Sequence, residues 1–178
     1  MFLSARRRKH EETIDRLYGA IVAQARDPFF YQALGVPDTI EGRFDMVVLH
    51  VHLLFRRLAA EDESVRAVGQ GVFDRFVGDM DASLREIGIG DLSVPKRMRA
   101  MGVAFYGRAA AYDEALGQAD DAQLAAALQR NVYASEPAAG IARLAHYVRS
   151  AVDALAAQSA DVIADGRIEF PSPASEPA

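Results

Sequence analysis

From Ile40 to Ala60 the chain reads IEGRFDMVVLHVHLLFRRLAA, and between Phe44 and Leu58 apolar side chains fall on nearly every face of a helix. Such a helix has no broad face to give to water, so other helices must surround it. The β-branched Val47, Val48 and Val51 make a buried strand the competing local reading. The polar flanks Glu41 to Asp45 and Arg56 to Glu61 extend the segment to helical length instead. Its most apolar run, Met46 to Phe55, includes His50 and His52 and has about half the length that a membrane span requires. It is therefore expected to be the buried central helix of an all-α fold.

The rest of the chain supplies the surrounding elements. Ile14, Leu17, Tyr18, Ile21, Val22 and Ala25 recur at helical spacing until Asp27-Pro28, where the residue before proline disfavours the helical region. Pro28 to Leu34 fits a short aromatic-rich helix ended by Gly35, and Asp38 or Thr39 can cap the central helix. Phe73, Phe76, Val77, Met80, Leu84 and Ile87 mark one face of a helix over 65–87. Gly88 and Gly90 suit its C-terminal cap, Ser93 suits the next N-cap, and Pro95 is tolerated in a first turn. Over 94–117, Met98, Met101, Phe105, Ala109, Tyr112 and Leu116 form a single seam, flanked by the small residues Ala100, Ala104, Gly107 and Ala111, which suggest close helix packing. A further helix is expected over 120–133. A last one starts at Ser135 to Pro137 and carries Ile141, Leu144, Val148, Val152 and Leu155.

These elements predict a single-domain, all-α bundle of six or seven helices. A basic segment over 1–12 precedes a helical domain over 13–158. A tail over 159–178 contains a turn and a short extended piece at 165–171 and is expected to be disordered from Ser172 onward.

At 178 residues, 51% hydrophobic and 25% charged, the chain can bury a core without staples. The absence of cysteine removes disulfides, thiolate metal sites and a thiol nucleophile. A net charge of -5 argues against nucleic acid as the primary partner, although local basic patches remain open. Arg6, Arg7, Arg8 and Lys9 form such a patch at the start. They are followed by Glu11 and Glu12 and lack the apolar stretch of a secretory signal. The expected address is a bacterial cytoplasm, with peripheral contact at the inner membrane as an option.

No catalytic motif emerges. On a helix His50 and His52 point roughly 200° apart and cannot chelate one ion together, and His10 and His146 supply no zinc-binding spacing. Packing or hydrogen bonding is the expected role of these histidines. Asp74, Asp79, Asp81, Glu86 and Asp91 lack a calcium-loop spacing, and Gly88-Ile89-Gly90 follows a helix rather than the strand of a dinucleotide site. No metal or cofactor is expected. What remains is charge: a carboxylate-rich helix is followed directly by one bearing Lys96, Arg97, Arg99 and Arg108, with no acid before Asp113. Two readings stand, pairing within the hairpin or a two-signed docking surface. Tyr106 lies off the seam of Phe105 and Tyr112, so its ring either meets a partner or covers a neighbouring helix.

The stretch GIGDLSVPKRMRAMGVAFYGRAAAYD, preceded by FDRFVGDMDASLREI, resembles the ubiquinol-cytochrome c chaperone family. The likeness extends through GRFDMVVLHVHLLFRRL upstream and LAAALQRNVY, IARLAHYVRSAVDAL and GRIEFP downstream, covering roughly Leu34 to Pro171. It implies an all-helical, non-catalytic assembly factor of the cytochrome bc1 complex that binds newly made cytochrome b and assists haem acquisition. Only about a dozen residues are expected before the first helix, a departure from mitochondrial members that points to a bacterial relative. On this reading Asp79, Asp81, Arg85, Lys96, Arg97, Met98, Met101, Tyr106 and Arg108 are candidate client contacts. Arg6, Arg7, Arg8 and Lys9 are candidate membrane-surface or ribosome contacts. Direct haem carriage through His50 or His146 is the third option, with no second ligand in sight.

Overall fold

The computed structural model describes residues 2–134 and 138–175, with side chains from Arg7 onward. Among these residues there are six helices of ten residues or more: α1 (Phe2–Ala25), α3 (Ile40–Leu58), α4 (Glu63–Glu86), α5 (Val94–Leu116), α6 (Ala122–Asn131) and α7 (Ile141–Ala156). Two of five residues, α2 (Pro28–Gln32) and α8 (Ala160–Ala164), complete the set, and no strand occurs among the described residues.

Helix α3 is the centre. Every residue from Met46 to Leu54 is buried, and α1, α4, α5 and α7 all pack against it. The continuous apolar run is what demands this position, because each buried leucine contributes about 2–5 kcal/mol that truncation would forfeit. Local chemistry sets the helix starts. Thr39 accepts from the Gly42 amide at 3.1 Å, Asp62 from Val65 at 3.0 Å, and Asp27 from Phe29 at 2.9 Å. At the end of α4, Gly88 takes φ +85° and the Ile89 amide reaches back to the Leu84 carbonyl at 3.1 Å, the closing turn that a left-handed glycine permits. Ser93 stands at the N-cap of α5 without making the expected side-chain bond.

Two further expectations need correction. The basic start is not a separate segment: Arg7, Arg8 and Lys9 ride on α1, which begins at Phe2. The extended piece expected over 165–171 packs on the bundle, and contact continues past Ser172, where disorder is expected to begin. Ile168 and Pro173 are buried, Phe170 packs on the core, and Gln158 holds the Glu169 backbone through its amide at 2.7 Å and its carbonyl at 3.0 Å. The expected helix start at Ser135 to Pro137 lies outside the described residues.

The α4–α5 hairpin is unevenly anchored. Phe105, Tyr112 and Leu116 join the core, but between Ile87 and Ala104 the single buried side chain is Val94. Leu84 and Val94 stand outside the main core cluster, so this end of the hairpin is held apart from it.

Candidate functional site

Between the unanchored half of the hairpin and the body of the bundle lies a groove of about 640 Å³. Helix α1 supplies Tyr18, Val22 and Arg26, the start of α3 supplies Phe44, Asp45 and Val47, and the end of α4 supplies Asp79, Met80, Leu84 and Ile87. The far wall is α5, through Arg97, Ala100, Met101, Ala104 and Arg108, whose steps of three and four residues place them on one helix face. The small residues are expected to let a neighbouring helix approach closely, and this is corrected. Ala100 is exposed and lines the groove with Ala104, and a Cβ placed on Gly107 would meet nothing within 4 Å. Ala100 and Ala104 form an open wall instead of a helix contact, while Ala111 packs against the core as expected.

The floor is apolar and the rim carries both signs. Arg108 meets Asp45 at 2.8 Å, and both side chains are mostly buried. Burial nevertheless pushes the Asp45 carboxyl up to about 6, against the opposing pull of Arg108. The Tyr18 hydroxyl donates to Asp79 at 2.9 Å, while Arg75 lies 3.6 Å from the other oxygen of Asp79. Burial and this carboxylate together hold the Tyr18 phenol well above its ordinary range. Arg43 is engaged by Asp38 at 2.6 Å and lies over the Tyr31 ring. Arg26 and Arg97, on opposite walls, make no ion pair among the described residues and can turn to an occupant.

Of the residues singled out in the sequence, the fold thus gathers Asp79, Arg97, Met101 and Arg108. The others stand elsewhere. Asp81 and Asp91 both pair with Arg85 on the exposed end of the hairpin. Lys96 lies with Arg97, Ile89, Ser93 and Ala100 in a shallower cleft beside the turn. Met98 is half-buried outside the groove. Tyr106 covers a neighbouring helix, its ring 6.3 Å from Phe73 and 5.5 Å from Phe105, and stays 65% exposed. Charge pairing across the hairpin does not occur: among the described residues no ion pair joins α4 to α5, and the partners of Asp79 and Arg108 lie on α1, α4 and α3.

The basic start is largely neutralised. Arg7 pairs with Glu11 at 2.9 Å, Arg8 with Glu12 at 3.6 Å and Lys9 with Asp165 at 3.6 Å, while the Arg6 side chain lies outside the described residues. Sequence reasoning missed the α1 and α3 contributions to the groove. The available signal was Asp45, an acid between Phe44 and Met46 at the edge of the apolar run, which burial would oblige to find a cation from elsewhere.

The histidines are structural. His50 is fully buried, with Nδ1 2.7 Å from the Met46 carbonyl and Nε2 2.7 Å from the Tyr147 hydroxyl, so both ring nitrogens are spoken for. His52 is buried against Tyr112, its Nε2 3.5 Å from Asp113 and without a hydrogen-bond partner. Burial lowers its pKa, opposed by Asp113 and assisted by Arg56. His146 is half-buried beside Ser150 at 3.4 Å. Among the described residues no three His, Cys, Asp or Glu side chains group as metal ligands, and no helix is long and apolar enough to cross a membrane.

Residues 32–170, which include α3, α4 and α5 and hence three walls of the groove, match the family model described as ubiquinol-cytochrome C chaperone. The chain belongs to that family. The chain is 28% identical over 117 residues to ubiquinol-cytochrome-c reductase complex assembly factor 1 of Xenopus laevis, a match covering 66% of this chain and 58% of the frog protein. It therefore spans less than two thirds of that relative. A crystal structure of the Cbp3 homolog from Brucella abortus superposes with a TM-score of 0.88 at 40% identity, covering 97% of this chain and 98% of the other. The all-helical arrangement is thus shared with that Brucella protein.

Proposed function

We propose that this chain is a non-catalytic assembly chaperone that holds newly made cytochrome b, or a segment of it, in the groove between α1, α3, α4 and α5 during biogenesis of the bc1 complex. The observation that carries the reading is the groove itself, an apolar floor open to solvent and bordered by paired and unpaired charges. A chaperone must bind apolar client surface and let it go. Met80 and Met101 offer flexible, polarizable contacts that tolerate different client side chains. Arg26 and Arg97, unpaired on opposite walls, set the orientation of a bound segment. The compensation of Arg7, Arg8 and Lys9 by Glu11, Glu12 and Asp165 weakens the alternative of a basic N-terminal module on membrane or ribosome. Haem carriage through His50 is disfavoured because both of its ring nitrogens are engaged.

A photo-crosslinking residue placed at Met101, with one at the exposed Arg66 as control, tests this in cells assembling the complex. Cytochrome b is expected in the crosslink from position 101 and absent from that at 66. Deleting the gene should lower haem-loaded cytochrome b, and normal levels under respiratory growth would rule the function out.

A further inference from the structure

The turn between α4 and α5 presents Leu92 at 98% exposure, with Ile87 at 58% beside it. No packing role accounts for them, since this end of the hairpin is held outside the main core. Immediately behind them Lys96, Arg97 and Arg99 are all exposed, and none makes an ion pair among the described residues. Nearby acid does not cancel them: Asp81 and Asp91 share Arg85, which neutralises one of the two, and with Glu86 that leaves two negative charges against the three cations. The chain as a whole carries a charge of -5, so a cationic end tipped with aliphatic side chains is a local departure.

We infer that this end of the hairpin docks on an anionic lipid bilayer, Leu92 and Ile87 entering the headgroup and acyl boundary while Lys96 and Arg99, on one face of α5, lie among the anionic headgroups. Amphipathic elements bind interfaces in this way, combining a few buried apolar groups with cations attracted to the negative surface. A bilayer suits the surface better than a folded protein does. A stable protein complex takes about 800 Å² from each partner around a packed apolar centre. Here two aliphatic side chains stand at a turn without such a centre. Ile87 and Arg97 belong to both this end and the groove, so docking would bring the mouth of the groove to the membrane surface. The inference stands apart from the groove's occupant, whatever that proves to be.

Flotation of the purified full chain with vesicles of phosphatidylcholine alone, and of phosphatidylcholine mixed with phosphatidylglycerol, tests it. Binding is expected with the anionic vesicles only and should weaken in high salt. The double variant Lys96→Glu/Arg99→Glu should reduce it by about 25-fold or more, since each cation near the surface accounts for about fivefold, and Leu92→Ser should reduce it by about tenfold through lost apolar burial. Arg97 is left intact because it lines the groove. Thermal melting shows that the variants remain folded. The proposal is overturned if the chain floats equally with neutral vesicles, fails to float, keeps wild-type binding in both hairpin variants, or loses it solely when Arg7, Arg8 and Lys9 are replaced by glutamine. Crosslinking from Met101 reads the groove separately, so loss of one activity does not mimic loss of the other.

Discussion

Tyr147 donates its hydroxyl hydrogen to His50 Nε2. The direction follows from the other nitrogen: Nδ1 faces the Met46 carbonyl at 2.7 Å, which can only accept, so Nδ1 carries the proton and Nε2 is the acceptor. The Tyr147 oxygen in turn accepts from Gln24 at 3.1 Å, and Gln24 also donates to the Pro171 carbonyl at 3.1 Å. One chain of bonds, buried at His50 and half-buried at Gln24, thus ties α1, α3 and α7 to the tail. Tyr147→Phe should leave Nε2 unsatisfied and cost about 1–3 kcal/mol. That corresponds to a Tm lowered by several degrees in a domain of this size. Calorimetry on the purified variant measures it; an unchanged Tm would show that the bond contributes nothing net.

The same histidine gives the fold an acid limit. Burial lowers its pKa from 6.5 to about 4, only partly offset by the Met46 carbonyl. Because the folded value is depressed, the stability tied to neutral His50 is fully present above pH 6.5 and is lost as pH falls from there through 4. The loss amounts to about 3 kcal/mol. His50→Gln should be destabilising at pH 7, and its deficit relative to wild type should shrink on acidification to pH 4. Urea unfolding across that range gives the comparison, and a constant deficit would contradict the assignment.

Asp45 has the opposite sign. Its folded pKa is raised from 3.8 to about 6, chiefly by burial, so the stability it confers is present below pH 3.8 and is lost as pH rises through 6. Asp45→Asn should therefore compare more favourably with wild type at pH 7.5 than at pH 4, by about 2–3 kcal/mol. Arg108→Ala removes the cation that opposes this shift and should be more damaging at pH 7.5 than at pH 5. Unfolding curves for both variants at the two ends of the range test the sign. Loss of client crosslinking in either variant would also connect this pair to the groove.

These pairs show where sequence reading succeeds and where it stops. Helix α3 was legible because burial on all sides leaves a continuous apolar run, and α4 and α5 because each keeps a single seam. The first turns of α1 were not, since Arg7, Arg8, Glu11 and Glu12 carry no apolar face; their regularity lies in ion pairs four residues apart. The groove was half legible. Arg97, Met101 and Arg108 fall on one face of α5, but nothing in their spacing names Asp45 or Tyr18 as neighbours. The stripe Ala100, Ala104, Gly107 and Ala111 reads alike as a packed helix face or an open wall. Tertiary structure alone separates the two.

The tail beyond Gln158 offered little periodicity, yet it closes over the buried histidine. Phe170 meets the His50 ring edge-on at 5.1 Å, and Gln24 and Gln158 hold the backbone on either side of it. Phe170→Ala should cost about 3 kcal/mol or more, less whatever the half-exposed ring already leaves to water. It should also admit solvent to His50 and move its pKa back toward 6.5. NMR titration of the imidazole protons follows that movement directly, and a histidine still depressed to about 4 in the variant would mean that the tail does not seal it.

Gly140 sets the approach of the chain to α7. A Cβ built on Gly140 would lie 2.0 Å from the Leu34 carbonyl oxygen, a backbone atom that no side-chain rotation can clear. The neighbouring Tyr133 hydroxyl donates to that same oxygen at 2.9 Å, so the strand of chain around Leu34 is pinned from two directions. Gly140→Ala must move one backbone segment away from the other and weaken the Tyr133 bond, a loss of at least about 2 kcal/mol if the bond breaks and the packing opens. Tyr133→Phe removes the bond without the clash and should cost about 1 kcal/mol. In the double variant the two losses should fall short of adding, because both act on one carbonyl. Full additivity in denaturant unfolding would show that the glycine and the tyrosine act on separate parts of the fold.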